Sequence, residues 1–308
     1  LMTVRDLPDL LRPGDLLVLN DTRVLPTRFF ARRGEAAVEV TLVERIGTDG
    51  WWALARPGRR LRQGDRVTLA PGLTAEVRGK DAEGRVRLAC TPGGAEMLAA
   101  IRAAGAMPLP PYIRRPKGGD ARDRDAYQSL FARREGAVAA PTASLHLTAE
   151  LLARLDARGI GRAFVTLHVG AGTFAPVKVE DTAQHRMHAE WCELPEATVA
   201  AIAATRARGG RIVAVGTTVL RTLESAAEAD GALRAGARET SLFITPGYRF
   251  AVVDLLLTNF HLPRSTLLML VAAFAGRERM LAAYAWAVAQ HLRFFSYGDA
   301  CLIARAED

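Results

Sequence analysis

His168 ends an apolar run in VTLHVGAGTFAPV, residues 165–177, and a G-x-G turn of Gly170 and Gly172 follows at once. Many nucleotide sites begin this way, but they need a helix behind the turn to offer its N–H groups, and Pro176 prevents one. Thr173 and Phe174 belong to the same loop. Two more apolar runs exit into polar residues. AVGTTVLRTLES, residues 214–225, passes through Gly216 to Thr217 and Thr218 at a helix start. Either hydroxyl can cap that helix, and its free N–H groups suit an anion or an oxygen-rich ligand. An ordinary Thr-capped helix reads the same way, with Glu224 pairing Arg221 on one helix face. LTNFHLPRSTLLML, residues 257–270, brings Asn259 to a strand exit, His261 into a turn, and Ser265 and Thr266 to a helix start.

Histidine titrates near neutrality, so a positioned imidazole is the natural general base. Of the six histidines, His146 lies in APTASLHLT, and His185 and His188 lie in QHRMHAE just before Glu190. The H-x-x-H spacing invites a metal reading completed by Glu190, yet it lacks the H-E-x-x-H order and a supporting Cys or Asp set. No G-x-S-x-G, P-loop or dinucleotide fingerprint occurs. Cys90, Cys192 and Cys301 lie far apart, without C-x-x-C, and read as small buried hydrophobes in a reducing compartment. Phe174, Trp191, Phe294, Phe295 and Tyr297 are core residues by default, with stacking on a base or facing a cation as the alternatives.

These residues must be held by larger elements. The 308-residue chain is 49% apolar and 24% charged, a globular composition long enough for one large domain or two ordinary ones. Its longest apolar stretch, Leu267 to Ala275, is far short of the ~20 residues a membrane span needs. The N-terminus lacks a signal-peptide h-region, so a cytoplasmic location is expected. The net charge of +8 sits mostly in the first two thirds and is almost all arginine. It is compatible with a polyanionic partner; the blander reading is a GC-rich coding bias, which also favours Ala and Gly.

LLVLN, residues 16–20, reads as a buried strand. From Phe29 to Cys90, short β-type runs separated by turn clusters (TDG, RQGD, APG, DAEG) predict a small antiparallel barrel or sandwich, which a helix from Ala95 closes. MPLPPYIRRPKGGDARDRD, residues 107–125, is a long polar connection. Beyond it, helices near 148–159, 199–208 and 219–229 and from Ser265 to Leu292 alternate with strands at 161–169, 211–218, SLFIT, VVDLLLTNF and DACLIAR. That rhythm predicts an α/β fold with a largely parallel sheet and flanking helices, residues 1–28 and 105–308, into which a β-barrel, residues 29–104, is inserted.

Seven stretches in fixed order, PGDLLVLNDTRVLPTR, VAAPTASLHLT, VTLHVGAGTFAPV, HRMHAEW, AVGTTVLRTLES, LLTNFHLPRSTLLMLVAAFAG and FFSYGDACLI, together resemble the S-adenosylmethionine:tRNA ribosyltransferase-isomerases of queuosine biosynthesis. The resemblance runs from Leu7 to Ile303 and is strongest in the α/β part. It implies transfer of the ribosyl group of S-adenosylmethionine to 7-aminomethyl-7-deazaguanine (preQ1) at the tRNA wobble position, giving epoxyqueuosine, adenine and methionine. It implies an α/β domain with a small barrel, a monomer, no metal, and no cofactor beyond the consumed donor. The family commonly carries a further stretch ahead of the point where this sequence opens, and has Gly and Phe where Ser144 and Leu147 stand here; the latter changes are expected to be tolerated.

From the resemblance, His146, His168 and His261 are the candidate bases, unranked. The matching motifs also nominate Asn20, Asp21, Thr22, Arg23, Thr142, Gly170, Gly172, Thr173, Phe174, His188, Glu190, Gly216, Thr217, Thr218, Arg221, Asn259, Ser265, Thr266, Tyr297 and Asp299 as substrate-binding. The loop after His168 would hug a nucleoside or ribose, Asp299 and Glu190 would face the sulfonium or the methionine ammonium, and Arg23 or Arg221 a carboxylate or phosphate. Arg114, Arg115 and Lys117 would track tRNA phosphates. Two alternatives come from other classes: a metal-dependent hydrolase built on His185, His188 and Glu190, and a non-catalytic RNA-binding module built on the barrel.

Overall fold

The computed structural model describes residues 1–110, 112, 113, 115, 120–170, 185 and 187–306. By compactness the chain divides into two units. One comprises Leu1–Arg23, Ser129–Arg134 and Ala140–Asp308; the other comprises Val24–Gln128 and Glu135–Ala139.

Strand β1, Leu16–Asn20, lies in the first unit, and a second short strand, β2, is Thr22–Val24. The six strands that follow, β3 (Arg28–Arg33), β4 (Ala36–Ile46), β5 (Gly50–Arg56), β6 (Arg66–Ala70), β7 (Leu73–Lys80) and β8 (Val86–Thr91), belong to the other unit. After β9 (Arg134–Ala137), which forms a two-stranded ribbon with β2, come β10 (Gly161–Leu167), β11 (Glu190–Leu194), β12 (Ile212–Val215), β13 (Gly236–Thr240), β14 (Leu255–Asn259) and β15 (Ala300–Ala304).

The main sheet runs β13-β11-β10-β1-β12-β14-β15. Its four central strands are parallel, with Leu16 beside both Gly161 and Ile212 and Val213 beside Leu255; the edge pairings are antiparallel. Every residue of β1, β12 and β14 is buried, as expected of parallel strands covered on both faces. Side chains alternate between those faces. Leu16, Val18, Ile212 and Ala214 pack with Leu220, Leu223, Val271 and Phe274 on one side. Leu17, Leu19, Val213 and Val215 pack with Leu7, Leu151 and Leu155 on the other.

In the second unit β3-β4-β5-β8-β7-β6 close into a barrel, the β3–β6 seam meeting at Arg32 and Thr68. Its interior is largely aliphatic, with Val40, Leu42, Ala53, Val67, Leu73, Val77 and Val86 beside Phe29 and Trp51, and the helix Gly94–Ala104 packs Met97 and Ile101 against that core. The fold class is therefore the expected one, an α/β sheet with flanking helices and an inserted antiparallel barrel. The bipartite hydrophobic texture dictated it.

Four local expectations change. SLFIT is not a strand; β13 lies just before it, at Gly236–Thr240. β11 was not foreseen, because its inward alternation, Glu190, Cys192, Leu194, begins with a carboxylate. The helical run from Ser265 to Leu292 breaks at Gly276, φ +90°, into Thr266–Ala275 and Arg277–Ala289. Finally, neither Thr217 nor Thr218 caps the helix after β12. Gly216 is the N-cap at φ +97°, no side chain caps it, and Thr217 is already helical.

Candidate active site

All four parallel strands end at the same edge of the sheet, and there the polar residues gather. The chain crosses from one side of β1 to the other between β10 and β12, so this edge is the topological switch point at which open α/β sheets bind ligands. The opposite edge is closed. Asp15 grips Arg211 through paired contacts of 2.6 and 3.1 Å, and Asp254 accepts Ile212 N–H at 2.8 Å.

Beneath the site lies a clamp. Asn20 is fully buried: Oδ1 accepts Leu167 N–H at 3.1 Å and Thr22 N–H at 3.0 Å, and Nδ2 donates to Leu167 O at 3.0 Å. The same nitrogen reaches Thr218 Oγ1 of the next strand exit at 3.4 Å. Asp21 is buried and accepts Thr166 Oγ1 at 2.6 Å and Arg133 Nη2 at 3.0 Å. Thr22, with no exposed surface, sets its Oγ1 2.8 Å from His168 Nδ1 and 3.4 Å from Arg134 O. The structure thus places these three residues under the histidine, whereas Arg23 is exposed.

His168 stacks on Trp191, centroids 4.9 Å apart and planes 19° apart, while the Arg134 guanidinium lies 5.5 Å over the same indole. Burial, and then the Arg134 charge, hold the His168 imidazole below its usual pKa against the opposing pull of Asp21. Glu190 accepts Gly170 N–H at 3.0 Å and pairs with buried Arg221, which also donates to Leu242 O at 3.1 Å. Arg221 Nη2 has no partner among the described residues. Glu224 does not pair with Arg221. It accepts the backbone N–H groups of Ala251, Val252 and Val253 at 2.9–3.1 Å, anchoring the entry to β14.

On the other flank, Asn259 ends β14. Its Oδ1 accepts Thr142 Oγ1 at 3.1 Å, and its Nδ2 lies 3.0 Å from His146 Nε2 and 3.4 Å from Gly298 O. The 3-10 turn Thr142–His146 carries both partners. Burial lowers His146; nearby Asp299 opposes the shift and Arg293 adds to it. Asp299 itself is held by the Arg293 N–H at 2.7 Å and its guanidinium at 3.1 Å, which overcome burial and keep the carboxyl below its usual range. His261 is pushed down to about 4 by burial, with Nε2 3.1 Å from Thr258 Oγ1. Ser265 is a true N-cap, accepting Leu268 N–H at 3.2 Å, and Thr266 opens its helix. Tyr297 is exposed.

The model described as queuosine biosynthesis protein matches residues 2–303. The chain belongs to this family of enzymes. Curated relatives named S-adenosylmethionine:tRNA ribosyltransferase-isomerase include one from Rhodospirillum rubrum, 58% identical over 99% of this chain and 88% of its own length, and one from Gluconacetobacter diazotrophicus, 59% identical over 98% and 86%. A crystal structure of S-adenosylmethionine tRNA ribosyltransferase from Thermotoga maritima is 37% identical, covers 97% of this chain and 86% of that one, and aligns with a TM-score of 0.50.

For a queuosine-family enzyme, the seven motifs converge unequally. His146, Thr142, Asn259 and Asp299 form one cluster, and His168, Thr22, Gly170, Glu190 and Arg221 another, with Gly216, Thr217 and Thr218 at the exit of β12, the strand between β1 and β14. Gly172, Thr173, Phe174, Arg114 and Lys117 lie outside the described residues. His188 is exposed, His185 packs on Phe243 at 5.2 Å, and among the described residues no group of three His, Cys, Asp or Glu is placed to hold a metal ion. Burial pushes Cys90 up to about 11 and Cys301 up to about 12, leaving protonated thiols at neutral pH. Sequence reasoning missed Thr166, Arg133 and Arg134. Arg133 and Arg134 stand in the FARREG stretch, and only their backbone bonds to Asp21 O and the pairing of β9 with β2 give them a role.

Proposed function

We propose that the chain transfers and isomerises the ribosyl moiety of S-adenosylmethionine onto preQ1 at the wobble position of tRNA. The products are epoxyqueuosine in the tRNA, adenine and methionine. The observation that carries this reading is the family match over residues 2–303, joined to relatives above 50% identity bearing the ribosyltransferase-isomerase name. Neutral, half-buried imidazoles at the strand exits support it chemically. A sulfonium acidifies the C–H bonds beside it, so a base near the ribose C5′ carbon can form a stabilised ylide that starts the loss of adenine. The acceptor amine must also be uncharged to attack, and bases tuned near neutrality serve both needs.

The donor is consumed, so no resident cofactor or metal enters the reading. Gly216 and the uncapped N–H groups behind it suit the methionine carboxylate. The wobble base leaves its stack to reach the donor. We assign a monomer working in the cytoplasm, where its tRNA resides. The test is adenine release from S-adenosylmethionine with tRNA that carries preQ1, with mass analysis of the base. Release dependent on that tRNA, with the matching mass gain and no effect of chelators, is expected. Folded protein that binds the tRNA but releases no adenine would leave only the non-catalytic reading.

A further inference from the structure

We propose that His168 is the proton acceptor of this site and that Thr22 is the positioning residue holding it in the Nδ1–H tautomer. The inference rests on the ribosyl-transfer reading above and concerns which of three histidines acts, and how it is held.

The three differ in what their ring nitrogens already do. His261 has Nε2 against Thr258 Oγ1 at 3.1 Å in an apolar surround that makes it a very weak base. His146 has Nε2 3.0 Å from Asn259 Nδ2, an amide nitrogen that can only donate. That amide cannot usefully flip, because Thr142 Oγ1 donates to its oxygen and Gly298 O receives from its nitrogen. The basic lone pair of neutral His146 is therefore occupied, its proton is on Nδ1, and the ring is a hydrogen-bond donor.

His168 is arranged the other way. Its Nδ1 faces Thr22 Oγ1 at 2.8 Å, and the hydroxyl hydrogen has its own acceptor in Arg134 O at 3.4 Å. The hydroxyl oxygen then receives Nδ1–H, and the lone pair stays on Nε2, which makes no hydrogen bond to any described residue. The Trp191 stack and the His168 N–H bond to Trp191 O at 3.0 Å fix the ring plane and the backbone. Asp21 and Arg134 are the charged groups facing the ring, and Glu193 neutralises Arg134 from β11. Thr22 has no exposed surface and donates its own N–H to Asn20 Oδ1, so it acts only through His168.

In the step assigned to it, Nε2 forms a bond to the proton of the carbon bearing the sulfonium. The C–H bond breaks, its electron pair stays on carbon as the ylide, and the imidazolium keeps Nδ1–H on Thr22.

The experiment pairs steady-state adenine release on preQ1-tRNA with 15N–1H NMR of histidine-labelled protein, comparing Thr22→Val, Thr22→Ser and His168→Gln. Expected results are an Nδ1–H His168 in the unaltered chain and a kcat lowered about tenfold or more by Thr22→Val, with KM for S-adenosylmethionine little changed. Ser should restore the rate, and His168→Gln should cost about 10²–10⁴-fold. An Nε2–H tautomer, an unchanged kcat in Thr22→Val, or an active His168→Gln overturns the proposal. No adenine release by the unaltered chain would count against ribosyl transfer itself, and the tautomer measurement would still decide the part played by Thr22.

Discussion

At the residue scale, burial lowers the pKa of the imidazoles of the proposed site, and that has consequences in pH. His168 is lowered by burial and then by Arg134, so it stays unprotonated somewhat below the ordinary histidine range. A base works only when unprotonated, hence the acid limb of kcat should lie below that range. Arg134→Gln removes a depressing charge, raises the His168 pKa and should move the limb to higher pH, read from kcat profiles of both proteins. His261 bears on stability. Its folded pKa, about 4, lies below the unfolded value near 6.5, so the unfolded chain binds the extra proton. Its contribution is therefore intact above about 6.5, declines as pH falls toward 4, and is flat below. The loss should be at most about 3 kcal/mol, and His261→Gln should show a shallower fall in urea midpoints across that window.

At the element scale, one edge of the sheet is built to be stable and the other to be used. Asp15 and Asp254 satisfy the Arg211 and Ile212 N–H groups at the start of β12, and Asp15 also accepts Arg12 N–H in the turn before β1. At the exits, by contrast, Gly216 holds a backbone conformation, φ +97° and ψ 153°, that suits glycine alone. A Cβ there would meet Ala143 Cβ at 3.5 Å, ordinary contact, so strain rather than collision is the penalty. Gly216→Ala should cost about 1–3 kcal/mol, measurable as a lowered denaturation midpoint, and should weaken donor binding. Glu224 fastens the helix behind Gly216 to the buried start of β14 through three N–H groups. Glu224→Ala leaves those donors buried without partners and should destabilise by about 3 kcal/mol or more, with Glu224→Gln between. Equal midpoints for all three proteins would contradict the anchoring role.

At the scale of the whole molecule, the charge of +8 and the tRNA reading make a joint prediction. Affinity for tRNA should fall linearly in log–log terms with salt, by about 0.7–0.9 per phosphate neutralised. Arg115, nominated as a phosphate contact, grips buried Asp123 through Nε at 2.9 Å and Nη2 at 2.8 Å. Arg115→Ala should therefore leave the salt slope unchanged and destabilise the chain by about 3 kcal/mol, since a buried carboxylate loses its partner. A shallower slope with unchanged stability would restore the phosphate role.

The sequence alone determined the α/β layer, the inserted barrel and the family, because hydrophobic period and ordered motifs are local properties. It also located the strand exits, where apolar runs end in Asn20, His168, Gly216 and Asn259. It could not show β11, whose inward alternation opens with the carboxylate of Glu190, or β13, an edge strand with a single buried residue, Thr240. Nor could it rank the histidines. Which nitrogen of His146 or His168 is occupied depends on Asn259, on Thr22 and, through Thr22, on Arg134, each more than thirty positions from the imidazole it influences. Hydrogen bonds of that kind are set by strand order and register, and only the folded sheet brings their partners within 3 Å.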